Sequence, residues 1–442
     1  MASPQQTEMP GGRFVRNARD GNGEFVTCDA VGIADRKAMA DTRDILALSE
    51  AYLPAKGGHI NWQHEVYRRL GRVCVLTAKM PGLPGCEQID GVTVRRIRLS
   101  RWSILRPESL LLYGNLAAHC IQEVLRRRPA AVLAARVLPE GLVAAIIGRV
   151  LHLPSLIFAH GEEIAVYGLG PQIDASVIAR MKCWSLWWAY RCASRVIANS
   201  TFTANLLARG GIGGAKVALV HPGTDTRKFA PGPVSDTKDS RHGVHPGPVL
   251  LTVGKLCDRK GQDVVLRAMP LVLREFPTTR YIVAGDGPKR GELEMLAREV
   301  GVSENVNFLG RVCDSELPAL YQSADVFVMP NRTLEGQGEV EGFGIVFLEA
   351  SSSGKPVIGG DTGGTGDAIE HGVTGFLVDG RSPGVVAQVI LEVLRQPALA
   401  SRLGEAGRRR VLESFTWDQS AAKVAVAIQE AAHRRALPRS RP

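Results

Sequence analysis

The stretch Glu341-Gly-Phe-Gly-Ile-Val-Phe-Leu-Glu349, continuing Ala350-Ser-Ser-Ser-Gly-Lys-Pro-Val-Ile-Gly-Gly360, decides how the rest of this chain is read. Its glycines predict a tight turn, and the apolar run after them predicts a helix that opens with free backbone N–H groups. Such a helix start is an anion site. Glu341 precedes the turn, and Glu349 lies about two turns along the helix on a similar face. One carboxylate can reach sugar hydroxyls beside a phosphate, and the other can reach a ribose. The residues describe a sugar-nucleotide pocket.

Working outward, short apolar runs alternate with loops and helical stretches. Strands are predicted at Ile45–Ser49, Val73–Leu76, Val92–Ile97, Ala131–Ala134, Ser155–Ala159, Arg195–Ala198 and Val217–Val220. A Pro- and Gly-dense linker follows, from His221 to Pro233. A second series then runs through Val249–Val253, Arg280–Ala284, Val306–Leu309, Val326–Met329, Pro356–Ile358 and Gly375–Val378, with a last helix near Ser420–Arg435. This alternation predicts parallel sheets with helices on both faces. The chain length of 442 residues calls for two such units. The fold class is therefore α/β, with two doubly wound Rossmann-like domains facing a central cleft.

Charge is unevenly placed. Residues 44–230 hold 23 Lys and Arg against 12 Asp and Glu, whereas residues 231–442 hold 25 against 26. A basic first half points to an anionic partner such as a membrane face. No run of about 18 uncharged apolar residues exists, and residues 1–40 lack the apolar centre of a signal peptide. None of the eight cysteines forms a CxxC pair or a zinc pattern, which fits a reducing cytosol. The expected location is cytoplasmic, with any membrane met from its surface.

Further motifs sit at predicted strand ends, where open α/β sheets bind ligands. Lys255 and Lys260, five apart after the strand Val249–Val253, are placed to clamp a diphosphate. Gly57-Gly58 lets backbone amides approach a phosphate or sugar. His160 ends its strand facing the cleft and is followed by Gly161-Glu162-Glu163. His59 reads as a surface histidine or an acceptor contact. Trp184, Trp187 and Trp188 share a helical face and read as core. Arg95, Arg96, Arg98, Arg101 and Arg106, with Trp102 and Leu110–Leu112, read as the better membrane-facing cluster. No nucleic-acid motif accompanies them.

The wording of residues 341–360 resembles the donor site of the retaining glycosyltransferases of family 4, and the resemblance extends over roughly residues 44–435. It implies the GT-B fold, with these boundaries: a disordered extension over 1–40, an acceptor domain over 41–228, a nucleotide-sugar donor domain over 229–415, and a helix over 416–442 that crosses back to the first domain. It implies catalytic roles for Glu341, His160, Lys255 and Lys260. Donor contacts are implied for Gly57, Gly58, Gly342, Phe343, Gly344, Ile345 and Glu349, and the backbone of Arg311 and Val312 is implied to pair with the nucleobase. The family usually has arginine where this chain has Lys255. That loses a planar fork but keeps the charge.

The expected activity is transfer of a hexose, with retention, from a nucleoside-diphosphate sugar to a lipid-linked or saccharide hydroxyl. No cofactor is expected, and no Asp-x-Asp ligand set calls for a metal. The segment Asn331–Val340 resembles loops of bacterial mannosyltransferases and hints at GDP-mannose. The rival readings are a nucleotide-sugar 2-epimerase, a redox Rossmann module and a catalytically weak binding protein. The redox reading lacks a GxGxxG turn after the first strand.

Overall fold

Ile45–Leu48 (β1) shows why the first sheet forms. All of its residues are buried, with Leu46 and Leu48 facing one core and Ile45 and Ala47 facing another. A strand apolar on both sides belongs inside a parallel sheet. The computed structural model describes residues 44–99, 110–168, 177–232, 247–334 and 338–436. The extension over 1–40, along with Arg101, Trp102 and Arg106, lies outside the described residues.

Around β1 the sheet assembles Val73–Ala78 (β2), Cys86–Ile89 (β3), Val92–Ile97 (β4), Ala131–Ala134 (β5), Ser155–Ala159 (β6), Arg195–Ala198 (β7) and Val217–Leu219 (β8). Their order is β3-β4-β2-β1-β5-β6-β7-β8, and only the β3–β4 pair is antiparallel. Helices Leu110–Arg127, Leu142–Val150, Val177–Cys192 and Thr201–Arg209 cover one face. Helices Gly58–Leu70 and Trp417–Ala436 cover the other.

The second sheet comprises Val249–Val253 (β9), Arg280–Ala284 (β10), Val306–Gly310 (β11), Val326–Met329 (β12), Val357–Gly360 (β13) and Gly375–Val378 (β14). It is wholly parallel, in the order β11-β10-β9-β12-β13-β14. Helices Gln262–Leu273, Arg290–Glu299 and Pro383–Arg395 pack on one side, and Leu317–Ser323 and Ile345–Ser352 on the other. In both sheets the strand order reverses beside the first strand, at β1 and at β9. The crevice past the carboxyl ends at such a reversal is where open α/β sheets hold ligands.

Three details depart from the sequence reading. The edge strand β3 was not anticipated. It pairs with β4 across Asp90-Gly91, both at positive φ, which is the backbone a two-residue hairpin turn needs. Of Trp184, Trp187 and Trp188, only Trp187 is a full core residue. Its ring fills the space where a Cβ on Gly210 would stand, 1.8 Å away. Trp188 is half-buried, and Trp184 is 64% exposed, with its ring stacked on Trp188 at 6.2 Å. Finally, Arg95 and Arg96 are engaged within the domain. Arg95 pairs with the buried Glu123, and Arg96, itself buried, pairs with Glu87 and donates to Leu53 O at 2.9 Å.

Candidate active site

β9 delivers its chain into a loop that turns sharply at the cleft. Gly254 is followed by the exposed Lys255, then by a 3-10 turn over Asp258–Lys260, then by Gly261 at φ 73°. A side chain on Gly261 would lie 2.1 Å from Pro330 O, so only glycine allows the turn to pack against the end of β12. The turn buries Lys260 and half-buries Arg259.

From β12 the chain returns to Glu341, which is buried. Its Oε2 accepts from Lys260 Nζ at 2.6 Å and from Arg259 Nη1 at 2.7 Å. Burial pushes the Glu341 carboxyl pKa up. Lys260 and Arg259 together outweigh that and hold it below the usual carboxylate range. Arg259 is the residue that the sequence reading missed. Lys255, which it favoured, has no carboxylate partner among the described residues.

The helix Ile345–Ser352 starts from Gly344, at φ 91°, with no side-chain cap on its first amides. Phe343 and Phe347 are buried beneath the turn. Glu349 sits half-buried on this helix and accepts from the Tyr321 hydroxyl at 2.6 Å. Burial raises its pKa above the ordinary carboxylate value, only partly opposed by that hydrogen bond.

Elements of the first sheet close on this turn. Ile345 Cδ1 lies 3.8 Å from the Cβ that Gly58 would carry. Gly342 abuts His160, with a Cβ there falling 2.5 Å from His160 O. Gly57 and Gly58 are exposed at the start of the Gly58–Leu70 helix. The structure therefore brings Gly58, His160, Lys260, Glu341, Gly342 and Ile345 together.

His160 is fixed from several sides. Its Nε2 donates to Ala135 O at 2.8 Å, which leaves Nδ1 as the acceptor of a neutral ring. The ring edges onto Trp62 and onto His59, each at 5.7 Å. Burial, then His59, pulls the His160 pKa down to about 3, and burial with the Arg136 charge pulls His59 down to about 4. His59 is thus a half-buried neighbour of His160 and not a surface histidine. Glu163, buried, accepts from Val137 N at 3.2 Å and faces Arg136 Nε at 3.3 Å. Its role is to hold the loop after β5. Burial lifts its pKa to about 7.

Arg311 follows β11 with its side chain 86% exposed, 3.7 Å from Asp286, and Val312 is half-buried. Neither side chain joins the Glu341 cluster.

A model of Glycosyltransferase Family 4 matches residues 64–228, and a model of Glycosyl transferases group 1 matches residues 235–410. The GDP-mannose-dependent alpha-(1-6)-phosphatidylinositol monomannoside mannosyltransferase of Mycobacterium tuberculosis is 31% identical over 404 residues, 86% of this chain and 97% of its own. The chain is a family 4 glycosyltransferase. A D-inositol 3-phosphate glycosyltransferase of Streptomyces avermitilis is 33% identical over 60% of this chain and 57% of its own. Among solved structures, sucrose-phosphate synthase from Thermosynechococcus elongatus superposes with a TM-score of 0.71 at 22% identity, over 88% of this chain and 99% of its own. HepE from Anabaena, in complex with UDP and glucose, does so with a TM-score of 0.71 at 20% identity, over 88% of this chain and 99% of its own. The fold of this family 4 enzyme is GT-B.

Proposed function

We propose that this enzyme moves a mannosyl group from GDP-mannose to a hydroxyl of a phosphoinositol-type glycolipid, with retention at the anomeric carbon and without a metal. The observation that carries the reading is the Lys260–Glu341–Arg259 cluster at the β9 switch point, next to which Gly342 packs on His160 O. Sugar and acceptor follow the GDP-mannose-dependent, phosphatidylinositol-directed relatives.

In this reading Lys255, Lys260, Arg259 and the open amides at Ile345 stabilise charge on the leaving diphosphate. Glu349 takes the ribose and Glu341 the donor-sugar hydroxyls. His160, neutral and with Nδ1 free to accept, orients a hydroxyl of the sugar. The backbone at Arg311 and Val312 meets the base edge. No side chain acts as a nucleophile, so positioning and electrostatics supply the acceleration. Two or more cations at the phosphates supply the charge that a metal otherwise would.

In this reading the enzyme works at the cytoplasmic face of the membrane, where a lipid acceptor would be met. The helix Val177–Cys192 supports this: Val177, Met181 and Trp184 are all more than half exposed along one side. Among the described residues no helix is long and apolar enough to cross a membrane.

The test is a transfer assay with GDP-mannose and phosphatidylinositol monomannoside in EDTA, the product read by mass spectrometry and anomeric NMR. An α-linked mannosylated lipid is expected. A β-linked product would overturn retention, and dependence on added magnesium would overturn the metal-free reading.

A further inference from the structure

Glu341 holds both cations through a single oxygen. Side-chain exposure is 11% for Glu341, 10% for Lys260 and 20% for Arg259, so the three charges sit together largely out of water. Neither cation contacts any other carboxylate among the described residues. Their backbones are pinned. Arg332 N donates to Arg259 O at 2.8 Å, Lys260 N to Cys257 O at 3.0 Å, and Gly364 N to Glu341 O at 2.9 Å. Gly342, next in the chain, packs so closely on His160 that a Cβ there would fall 2.5 Å from His160 O.

A diphosphate arriving at this switch point needs the cations that a carboxylate already occupies. Both groups offer oxygens and negative charge to the same donors. We propose that Glu341 competes with a donor phosphate for Arg259 and Lys260, that these two cations form the diphosphate cradle, and that donor entry drives the carboxylate off them toward the sugar. This inference rests on the donor-site reading above.

The consequence concerns selection between donor and spent nucleotide. An intact sugar nucleotide displaces Glu341 and compensates by giving its carboxylate sugar hydroxyls to accept from. A free nucleoside diphosphate displaces it and offers nothing in return. The resident carboxylate thus discriminates against the by-product, favouring its release after each transfer. It also assigns a phosphate-binding role to Arg259.

The experiment is calorimetric titration of GDP and of GDP-mannose, without acceptor and in EDTA, into the wild type, Glu341→Gln, Arg259→Met and Lys260→Ala. Glu341→Gln removes the competing charge but keeps an acceptor oxygen. It should bind GDP roughly tenfold more tightly than the wild type, with no comparable gain for GDP-mannose. Arg259→Met should bind GDP roughly tenfold more weakly, and this arm stands alone if Glu341→Gln does not fold. Unchanged or weaker GDP binding by folded Glu341→Gln overturns the competition, as does unchanged binding by Arg259→Met. In those cases a loss in Lys260→Ala would still uphold the donor site. No binding of either nucleotide by the wild type or any variant would overturn the donor-site reading and this inference together.

Discussion

At the residue scale, the two lysines after β9 have different environments and should behave differently. Lys260 is buried against Glu341, whereas Lys255 is exposed and has no carboxylate partner among the described residues. Lys260→Ala should weaken GDP binding by roughly one to two orders of magnitude, the worth of a charge-assisted contact in a water-poor site. Lys255→Arg should keep activity, because it restores the family's usual cation without touching the core. Initial-rate kinetics check both. Glu163 gives a pH signature. Its folded pKa, about 7, lies above the ordinary value of 4.5. The folded state therefore binds the extra proton between these values, and stability falls as pH rises through that window. Glu163→Gln should flatten the decline in melting temperature between pH 5 and pH 7, on the order of 2–3 kcal/mol at most. An unchanged slope would show that Glu163 is fully charged.

Much of the site was legible at this scale because glycine, lysine and glutamate spacing after a strand end carries the chemistry. Glu341 and Lys260 were read from such spacing and His160 from its place at a strand end, with the role of His160 implied by the family resemblance. Arg259 was not read, because the sequence does not show that two adjacent cations in a turn both reach one carboxylate. The low pKa of His59 was equally hidden, since it depends on burial beside His160, about 100 residues away in sequence.

At the element scale, the last helix bears on the site. Trp417–Ala436 packs on Gly58–Leu70, and Trp62 Nε1 donates to Ser420 Oγ at 2.9 Å. Trp62 in turn backs the His160 ring. Ser420→Ala leaves a buried N–H without its partner and should cost about 1–2 kcal/mol by denaturant melt. Trp62→Ala should cost about 3–5 kcal/mol and also lower kcat through a loosened His160. Loss of stability with normal kcat would separate the helix from the site. Apolar runs buried on both faces made most strands legible from the sequence. β3 escaped because its residues are polar and half-exposed, leaving Asp90-Gly91 as its only signal. Trp184 was misplaced because helical spacing gives a common face but not whether anything covers it.

At the scale of the whole molecule, the two sheets present their switch points to one another. Asp367 helps to tie them: its Oδ2 accepts from Thr201 N, at the start of a first-sheet helix, and faces His221 Nε2 at 3.0 Å in the connecting segment. Sedimentation with anionic liposomes should fall as salt rises, because charges at a membrane surface are screened within about 8–10 Å at 0.10–0.15 M salt. Trp184→Ala should weaken it further. Binding indifferent to both would favour a soluble acceptor.

The most direct test of the donor site is a thermal-shift comparison of GDP, UDP and ADP, and of GDP-mannose, in EDTA, on the wild type and on Lys260→Ala. Stabilisation of the wild type by GDP-mannose above GDP is expected, with little effect of UDP or ADP and loss of the shift in Lys260→Ala. A shift from every nucleotide that survives Lys260→Ala, or none from any, would contradict the donor-site reading.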